Sequence, residues 1–111
     1  MGLSAERAAQ NESIFRDANE RVEERLGELT LEDGRSPFLC ECEDLRCREM
    51  VRLTREEYED VRSRPNRFLV APGHGFTHAR VVDDRGGFLV IEKTGRAGEV
   101  AQDLDPRAAQ G

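Results

Sequence analysis

The first part of the chain repeats apolar residues at the spacing of an α-helix. Between residues 4 and 29 they recur at every third or fourth position, which places them on one face of a helix. The stripe consists of Phe15, Ala18, Val22, Leu26 and Leu29. Charged residues, Glu12 and Arg16 among them, fill most positions on the other faces, so the pattern predicts an acidic amphipathic helix followed by a linker. We expect the apolar stripe to be covered by the same domain, by a second copy of the chain or by a different protein.

Shorter apolar runs later in the chain predict strands around one further helix. Residues 38–42 and 50–53 have the length and apolar content of two paired strands, and residues 68–70, 79–82 and 88–92 predict three more. The last run is apolar at consecutive positions, which is typical of a central strand that is covered on both faces. Thr54 and Glu57 have the spacing of a capping box, so a helix should begin at Thr54 and end near Pro65.

Three cysteines, the only ones in the chain, lie close together at Cys40, Cys42 and Cys47. Residues i and i+2 of an extended strand point to the same side, so Cys40 and Cys42 would present two sulfurs to one ion. The short polar turn that follows would bring the sulfur of Cys47 to the same place. An odd number of cysteines fits metal ligation or free thiols better than a closed set of disulfides.

A histidine is expected to supply the fourth ligand. His74 follows Pro72-Gly73, a pair that shapes a tight loop, and is therefore favoured over His78, which the pattern places near the start of a strand. A carboxylate such as Glu43, or a water molecule, is a further alternative. Thiolate and imidazole donors favour zinc over magnesium or calcium. The sequence therefore predicts a structural zinc site formed by Cys40, Cys42, Cys47 and His74.

Composition limits both the size of the core and the kind of partner. Hydrophobic residues make up 37% of the 111 residues and charged residues 36%, so the domain needs a metal or a partner to help it fold. The net charge of −6 argues against a nucleic-acid binder, because affinity for phosphates comes mainly from Lys and Arg. Without a membrane-spanning run or a secretory signal, a cytoplasmic location is expected. Arginines and acidic residues interleave between residues 41 and 67, which is typical of a solvated mixed-charge surface.

Several segments resemble a family of short actinobacterial proteins that has no assigned activity. The matching segments are FRDANER, FLCECEDLRC, LTREEYEDVRSRPNRFLVAPGH, FLVIEK and DLDPR. The resemblance spans residues 11–107 and implies that a CxC…C element, a helix opened by Leu53-Thr54 and a Pro-Gly-His sequence belong together. Gly75 departs from the family pattern, in which an acidic residue is expected. The resemblance implies no substrate.

We therefore predict an α+β fold: an N-terminal amphipathic helix, then a small, mainly antiparallel sheet with one helix around a structural zinc site. Residues 1–34 would form the helix and linker, residues 35–94 the zinc-binding core, and residues 95–111 a tail with one weak helical turn at 99–104 and a mobile end after Pro106. The chain contains no HExxH motif. The predicted function is a non-enzymatic adaptor or regulator that acts through protein contacts, and a thiol-based redox or zinc sensor is the alternative.

Overall fold

The computed structural model describes residues 4–25 and 34–107. Within these residues, two small antiparallel sheets lie next to three helices, so the predicted α+β fold is confirmed. The first sheet pairs two strands, and the second has three strands in the order β3-β5-β4. The elements are α1 (Ala5–Glu24), β1 (Ser36–Leu39), β2 (Met50–Leu53), α2 (Arg55–Val61), β3 (Arg67–Val70), β4 (Ala79–Asp84), β5 (Leu89–Lys93) and α3 (Gly95–Asp103).

Local sequence signals set the beginnings of the first two helices. Ser4 caps α1 by accepting a hydrogen bond from the backbone of Arg7. The predicted capping box is confirmed: Thr54 Oγ1 accepts from the Glu57 backbone at 3.1 Å, and the Glu57 carboxylate accepts from the Thr54 backbone at 2.9 Å. No helix among the described residues is both long enough and apolar enough to cross a lipid bilayer.

The main core lies where the two sheets and α2 meet. Phe38 of β1 stacks on Tyr58 of α2 with ring centroids 4.5 Å apart. The predicted central strand is confirmed, because β5 lies between β3 and β4. Its consecutive residues Val90 and Ile91 point to opposite faces and are both buried, so both faces of this strand are covered.

The predicted apolar stripe of α1 is only partly buried. Phe15 is buried, whereas Ala18 and Val22 are only half-buried, and Leu26 and Leu29 lie outside the described residues. The buried face is displaced around the helix from the apolar stripe, so the face of α1 that holds the helix on the domain is largely polar.

Two charged residues that lie off the predicted apolar stripe are completely buried in this α1 interface. Glu12 pairs with Lys93, the only lysine of the chain, at 2.9 Å, and both side chains are inaccessible to solvent. Arg16 pairs with Glu41 through two hydrogen bonds of 2.9 and 3.0 Å. The sequence pattern did not reveal this burial, because helical periodicity detects apolar faces, whereas these side chains are buried next to partners that are distant in sequence.

The C-terminal part of the chain contains a nine-residue helix where one weak turn was predicted. α3 packs on α1 through small side chains, with Ala97 and Val100 against Ala9. Gly98 permits a close approach to the sheet, since a Cβ at this position would lie 2.9 Å from the carbonyl oxygen of Lys93. Glycine thus lowers helix propensity here but is required by the packing.

The segment after α3 returns to the first helix. Arg107, which follows Pro106 in the end predicted to be mobile, donates hydrogen bonds to three carboxylates on α1 and α2. These belong to Glu20, Glu23 and Glu59. Residues 108–111 lie outside the described part of the chain.

Candidate metal centre

The structure brings the four predicted metal-site residues together. One potential ligand atom from each of Cys40, Cys42, Cys47 and His74 lies within 4.8 Å of the other three, and the group could hold a metal ion. His74 Nδ1 is 3.4 Å from Cys40 Sγ and 3.6 Å from Cys47 Sγ. Ligands bonded at about 2.0–2.3 Å to one tetrahedral centre are separated by roughly 3.5 Å, so these two distances fit a shared ion. We call these four residues the metal cluster.

Cys40 and Cys42 lie just beyond the strand that was predicted to contain them. β1 ends at Leu39, and the Cys40 backbone makes one last hydrogen bond towards β2, to the carbonyl of Glu49. The Glu41 backbone then donates to Leu69 of β3 at 2.8 Å. The segment therefore leaves the first sheet and joins the second, and the two cysteines lie where the sheets meet.

Glu41, between the two cysteines, fixes this segment from the opposite side. Its carboxylate accepts two hydrogen bonds from Arg16, one from Asn19 at 3.0 Å and one from the Leu69 backbone at 3.0 Å. The Arg16 guanidinium also donates to the carbonyl of Arg67 and lies 4.2 Å from the centre of the Phe68 ring. A buried carboxylate with four donors has little freedom to move, so the adjacent cysteines are held in place.

Helix α1 contacts alternate residues of the segment from Leu39 to Glu43. Asn19 pairs with both backbone groups of Leu39, at 2.7 and 2.9 Å, as a neighbouring strand would. Asn11 donates to the carbonyl of Glu43 at 2.9 Å. Residues 39, 41 and 43 thus bind α1, while residues 40 and 42 belong to the metal cluster. This alternation follows from the extended backbone, in which successive side chains point to opposite sides.

Short turns present the other two members of the cluster. The Cys47 backbone donates to the carbonyl of Asp44 at 2.9 Å, and the Asp44 side chain accepts from the Arg46 backbone, which closes the turn. In the loop after β3, the backbone of His74 donates to Ala71, and Gly73 has a φ of +83°, a conformation that favours glycine.

The alternative fourth ligands lie elsewhere. His78 is exposed and is not a member of the cluster that the described residues form. Glu43 uses its carboxylate to accept a hydrogen bond from Thr77 at 2.7 Å. Of the candidates weighed from the sequence, the structure therefore places His74 beside the three sulfurs.

Hydrogen bonds and burial shift the pKa values of the three thiols in different directions. A hydrogen bond from the Cys40 thiol lowers the pKa of Cys42 to about 5, and the same bond, together with burial, raises the pKa of Cys40. Burial raises the pKa of Cys47. Backbone donors favour the thiolates: Ala71 donates to Cys40 Sγ at 3.2 Å and Glu49 to Cys47. A bound divalent cation would stabilise all three thiolates and release protons.

The metal cluster is buried on one side and open on the other. Cys40 and Cys42 are almost completely buried, while Cys47 and His74 are partly exposed. Cys42, Cys47 and His74 line a surface cleft of about 320 Å³. Small solutes can therefore approach the cluster from one direction.

The buried residues that sequence reasoning missed, beside the cluster and elsewhere in the fold, are mainly charged. Glu41 and Arg62 were assigned to a solvated mixed-charge surface, and both are buried. For Glu41 a signal was present in the sequence: if Cys40 and Cys42 share one side of an extended segment, the residue between them must face the other side. No comparable local signal marks Arg62, which pairs with Glu20 and Asp105.

Comparison of the chain with protein-family models, curated proteins and solved structures finds no match. The resemblance to short actinobacterial proteins therefore stays a prediction, and the function must be inferred from the site itself.

Proposed function

We propose that the chain is a small zinc-stabilised protein that does not act as an enzyme and works as an adaptor or regulator through protein contacts. The observation that carries the proposal is the convergence of three sulfurs and one imidazole nitrogen within 4.8 Å. Four ligands of these types match the closed tetrahedral coordination of structural zinc, in which no position is left for a catalytic water. Softer thiolate ligands also select zinc over magnesium and calcium.

In this proposal zinc connects the two sheets. Cys40 follows β1, Cys42 and Cys47 lie in the connection between β1 and β2, and His74 lies in the loop between β3 and β4. Binding energies of structural zinc are on the order of 10–16 kcal/mol, which is comparable to the whole stability of a small domain. A domain with a modest apolar core would gain most of its stability from such a site.

Metal content tests the proposal directly. Native mass spectrometry of the wild type should show one zinc per chain. His74→Ala should weaken zinc binding strongly, whereas His78→Ala, the matched control four residues away, should leave it unchanged. A folded wild type that binds no zinc from a zinc-containing buffer would refute the proposal.

The open side of the metal cluster favours a second candidate function, a thiol-based redox or zinc sensor. Hydrogen peroxide entering the cleft would oxidise Cys42 and Cys47: the two thiolates lose two electrons and form a disulfide, and peroxide takes up these electrons and two protons from solvent to give two water molecules. The two oxidised sulfurs would no longer serve as zinc ligands. A sensor should release zinc at low peroxide concentration, whereas a permanent structural site should retain it. A colorimetric zinc chelator added during a peroxide titration separates the two functions.

A further inference from the structure

Exposed apolar side chains gather around one groove beside the metal cluster. Among the described residues, Ile14, Leu45 and Leu104 are 55%, 44% and 42% exposed, and all three line a groove of about 310 Å³. Ile14 comes from α1, Leu45 from the loop between Cys42 and Cys47, and Leu104 from the end of α3. Exposed apolar groups that cluster, rather than scatter, mark a surface that binds another molecule.

The arrangement of charges on the exposed face of α1 indicates which molecule binds there. Arg7, Gln10, Ile14 and Asp17 line the groove at the spacing of successive helical turns. The basic residue lies three positions before Gln10, and the acidic residue lies three positions after Ile14. A twofold rotation about the point midway between Gln10 and Ile14 therefore places each Arg7 opposite Asp17 of the partner subunit.

We propose that this groove is the interface of a homodimer in which the α1 helices of two copies pack antiparallel. Each Ile14 would cover the apolar wall formed by Leu45 and Leu104 of the partner subunit. The charges select this register: a twofold axis through Ile14 itself would bring Arg7 towards Arg21 of the partner subunit, and like charges disfavour that arrangement. The patch is self-complementary, as a twofold interface requires.

The dimer rests on the proposed zinc site, because the metal cluster fixes one wall of the groove. Leu45 lies in the turn between two predicted zinc ligands, and Asn11 holds the same loop against α1 through the carbonyl of Glu43 at 2.9 Å. Removing zinc should release this turn and weaken association. The apolar area is small, so we expect a weak dimer that exchanges with monomer.

Sedimentation velocity of the zinc-loaded full chain over a wide concentration range tests the proposal. The wild type should shift from monomer to dimer as concentration rises. Ile14→Asp should abolish the shift, because it places a charge in the apolar centre. Val81→Asp changes a similarly exposed apolar residue on β4, at 46% exposure, and should leave the equilibrium unchanged.

A charge exchange tests the register. Arg7→Asp alone and Asp17→Arg alone should each weaken the dimer roughly tenfold, and the double variant should restore it, because both facing pairs are rebuilt with reversed signs. Both positions are exposed, and circular dichroism checks that each variant is folded.

Three results would overturn the dimer: a zinc-loaded wild type that is monomeric at every concentration, an Ile14→Asp variant that dimerises like the wild type, or a double variant as weak as the single ones. Native mass spectrometry of the same samples keeps the two proposals apart. If the chain binds one zinc but does not dimerise, only the dimer is rejected. If a dimer forms without zinc, the claim that zinc is needed to shape the dimer interface is rejected.

Discussion

The segment from Leu39 to Glu43 has two faces that are held by different chemistry. On one face Cys40 and Cys42 meet His74, and the group could hold a metal ion. On the other face Glu41 is neutralised by Arg16, and both partners belong to the chain. The first face lies at the edge of an open cleft, and the second is completely buried. A small domain thus places a cluster that could hold a metal ion on one side of this segment and a buried ion pair on the other.

The two faces should also differ in what they contribute to stability. A structural metal adds binding energy to the folded state, because the unfolded chain lacks a preformed site. A buried ion pair adds little net stability, since desolvation cancels most of the attraction, yet removal of one partner leaves a costly buried charge. The predictions below compare the two faces in order of decreasing effect.

The largest effect is expected on the metal face. Cys42→Ser should prevent tight zinc binding and remove stabilisation on the order of 10 kcal/mol, which is as large as the stability of a typical small domain. We expect the variant to be largely unfolded at ambient temperature, as measured by far-UV circular dichroism. Treatment of the wild type with a strong chelator should reproduce this result. If the chelator left the melting temperature of the wild type unchanged, a bound metal would not stabilise the face formed by Cys40 and Cys42.

The next effect is expected on the carboxylate face. Glu41→Gln should cost about 3–5 kcal/mol, because it leaves the Arg16 guanidinium buried without a counter-charge. Urea denaturation of the zinc-loaded protein measures this loss. Glu49→Gln, an exposed neighbour in the same connection, is the matched control and should change stability by less than about 0.5 kcal/mol.

A second substitution sharpens this result. Adding Arg16→Met to Glu41→Gln should recover part of the lost stability, because it removes the unpaired buried charge. If the double variant were less stable than Glu41→Gln, the hydrogen bonds of Arg16 to other groups would have to carry the stabilisation instead.

A smaller effect, which depends on pH, is expected at Glu12. Burial outweighs the attraction of Lys93 and raises the pKa of Glu12 from its ordinary 4.5 to about 8. The folded state therefore holds this proton more tightly than the unfolded state, and the associated stability, complete below about pH 4.5, is lost as the pH rises through about 8. The unfolding free energy of the wild type relative to Glu12→Gln should fall by about 2–3 kcal/mol between about pH 6 and about pH 8.

Glu20 provides the control for this pH dependence. Although burial acts to raise it, hydrogen bonds from Arg107, Tyr58 and Arg62 hold the pKa of Glu20 at about 2. Glu20 is therefore ionised in both the folded and the unfolded state over the same pH range. The unfolding free energy of Glu20→Gln should differ from that of the wild type by an amount that does not change with pH. If the unfolding free energies of the wild type and of Glu12→Gln differed by the same amount at every pH in this range, Glu12 would have an ordinary pKa.

The smallest effect is expected where α1 contacts the loop between Cys42 and Cys47. Asn11→Ala removes one hydrogen bond to the carbonyl of Glu43 and should cost about 1 kcal/mol in urea denaturation. Gln102→Ala, at an exposed position of α3, should be neutral. Equal values for the two variants would mean that α1 does not help to hold the loop.

Much of the secondary structure could be predicted because its signals are local. The capping box at Thr54 and the apolar run of β5 each fit within a few residues, and both are found as predicted. The end of β1 was misplaced, because the hydrogen bond from Glu41 to Leu69 that redirects the chain joins residues far apart in sequence. The length of α3 was missed because Gly98 has a low helix propensity, whereas its close packing on Lys93 of β5, which the sequence does not show, requires a glycine.

The sequence by itself determined the composition of the candidate site: three cysteines within one short segment and a histidine after Pro-Gly are rare enough to stand out without a structure. Tertiary structure decided that His74 rather than His78 joins the sulfurs, and that Glu12, Arg16 and Glu41 are buried. The candidate ligands could be recognised from the sequence because metal ligands are limited to a few residue types, which can be read directly from it. Burial of an ionisable side chain depends on a hydrogen-bonding partner, and the partner of Glu12 lies 81 positions away.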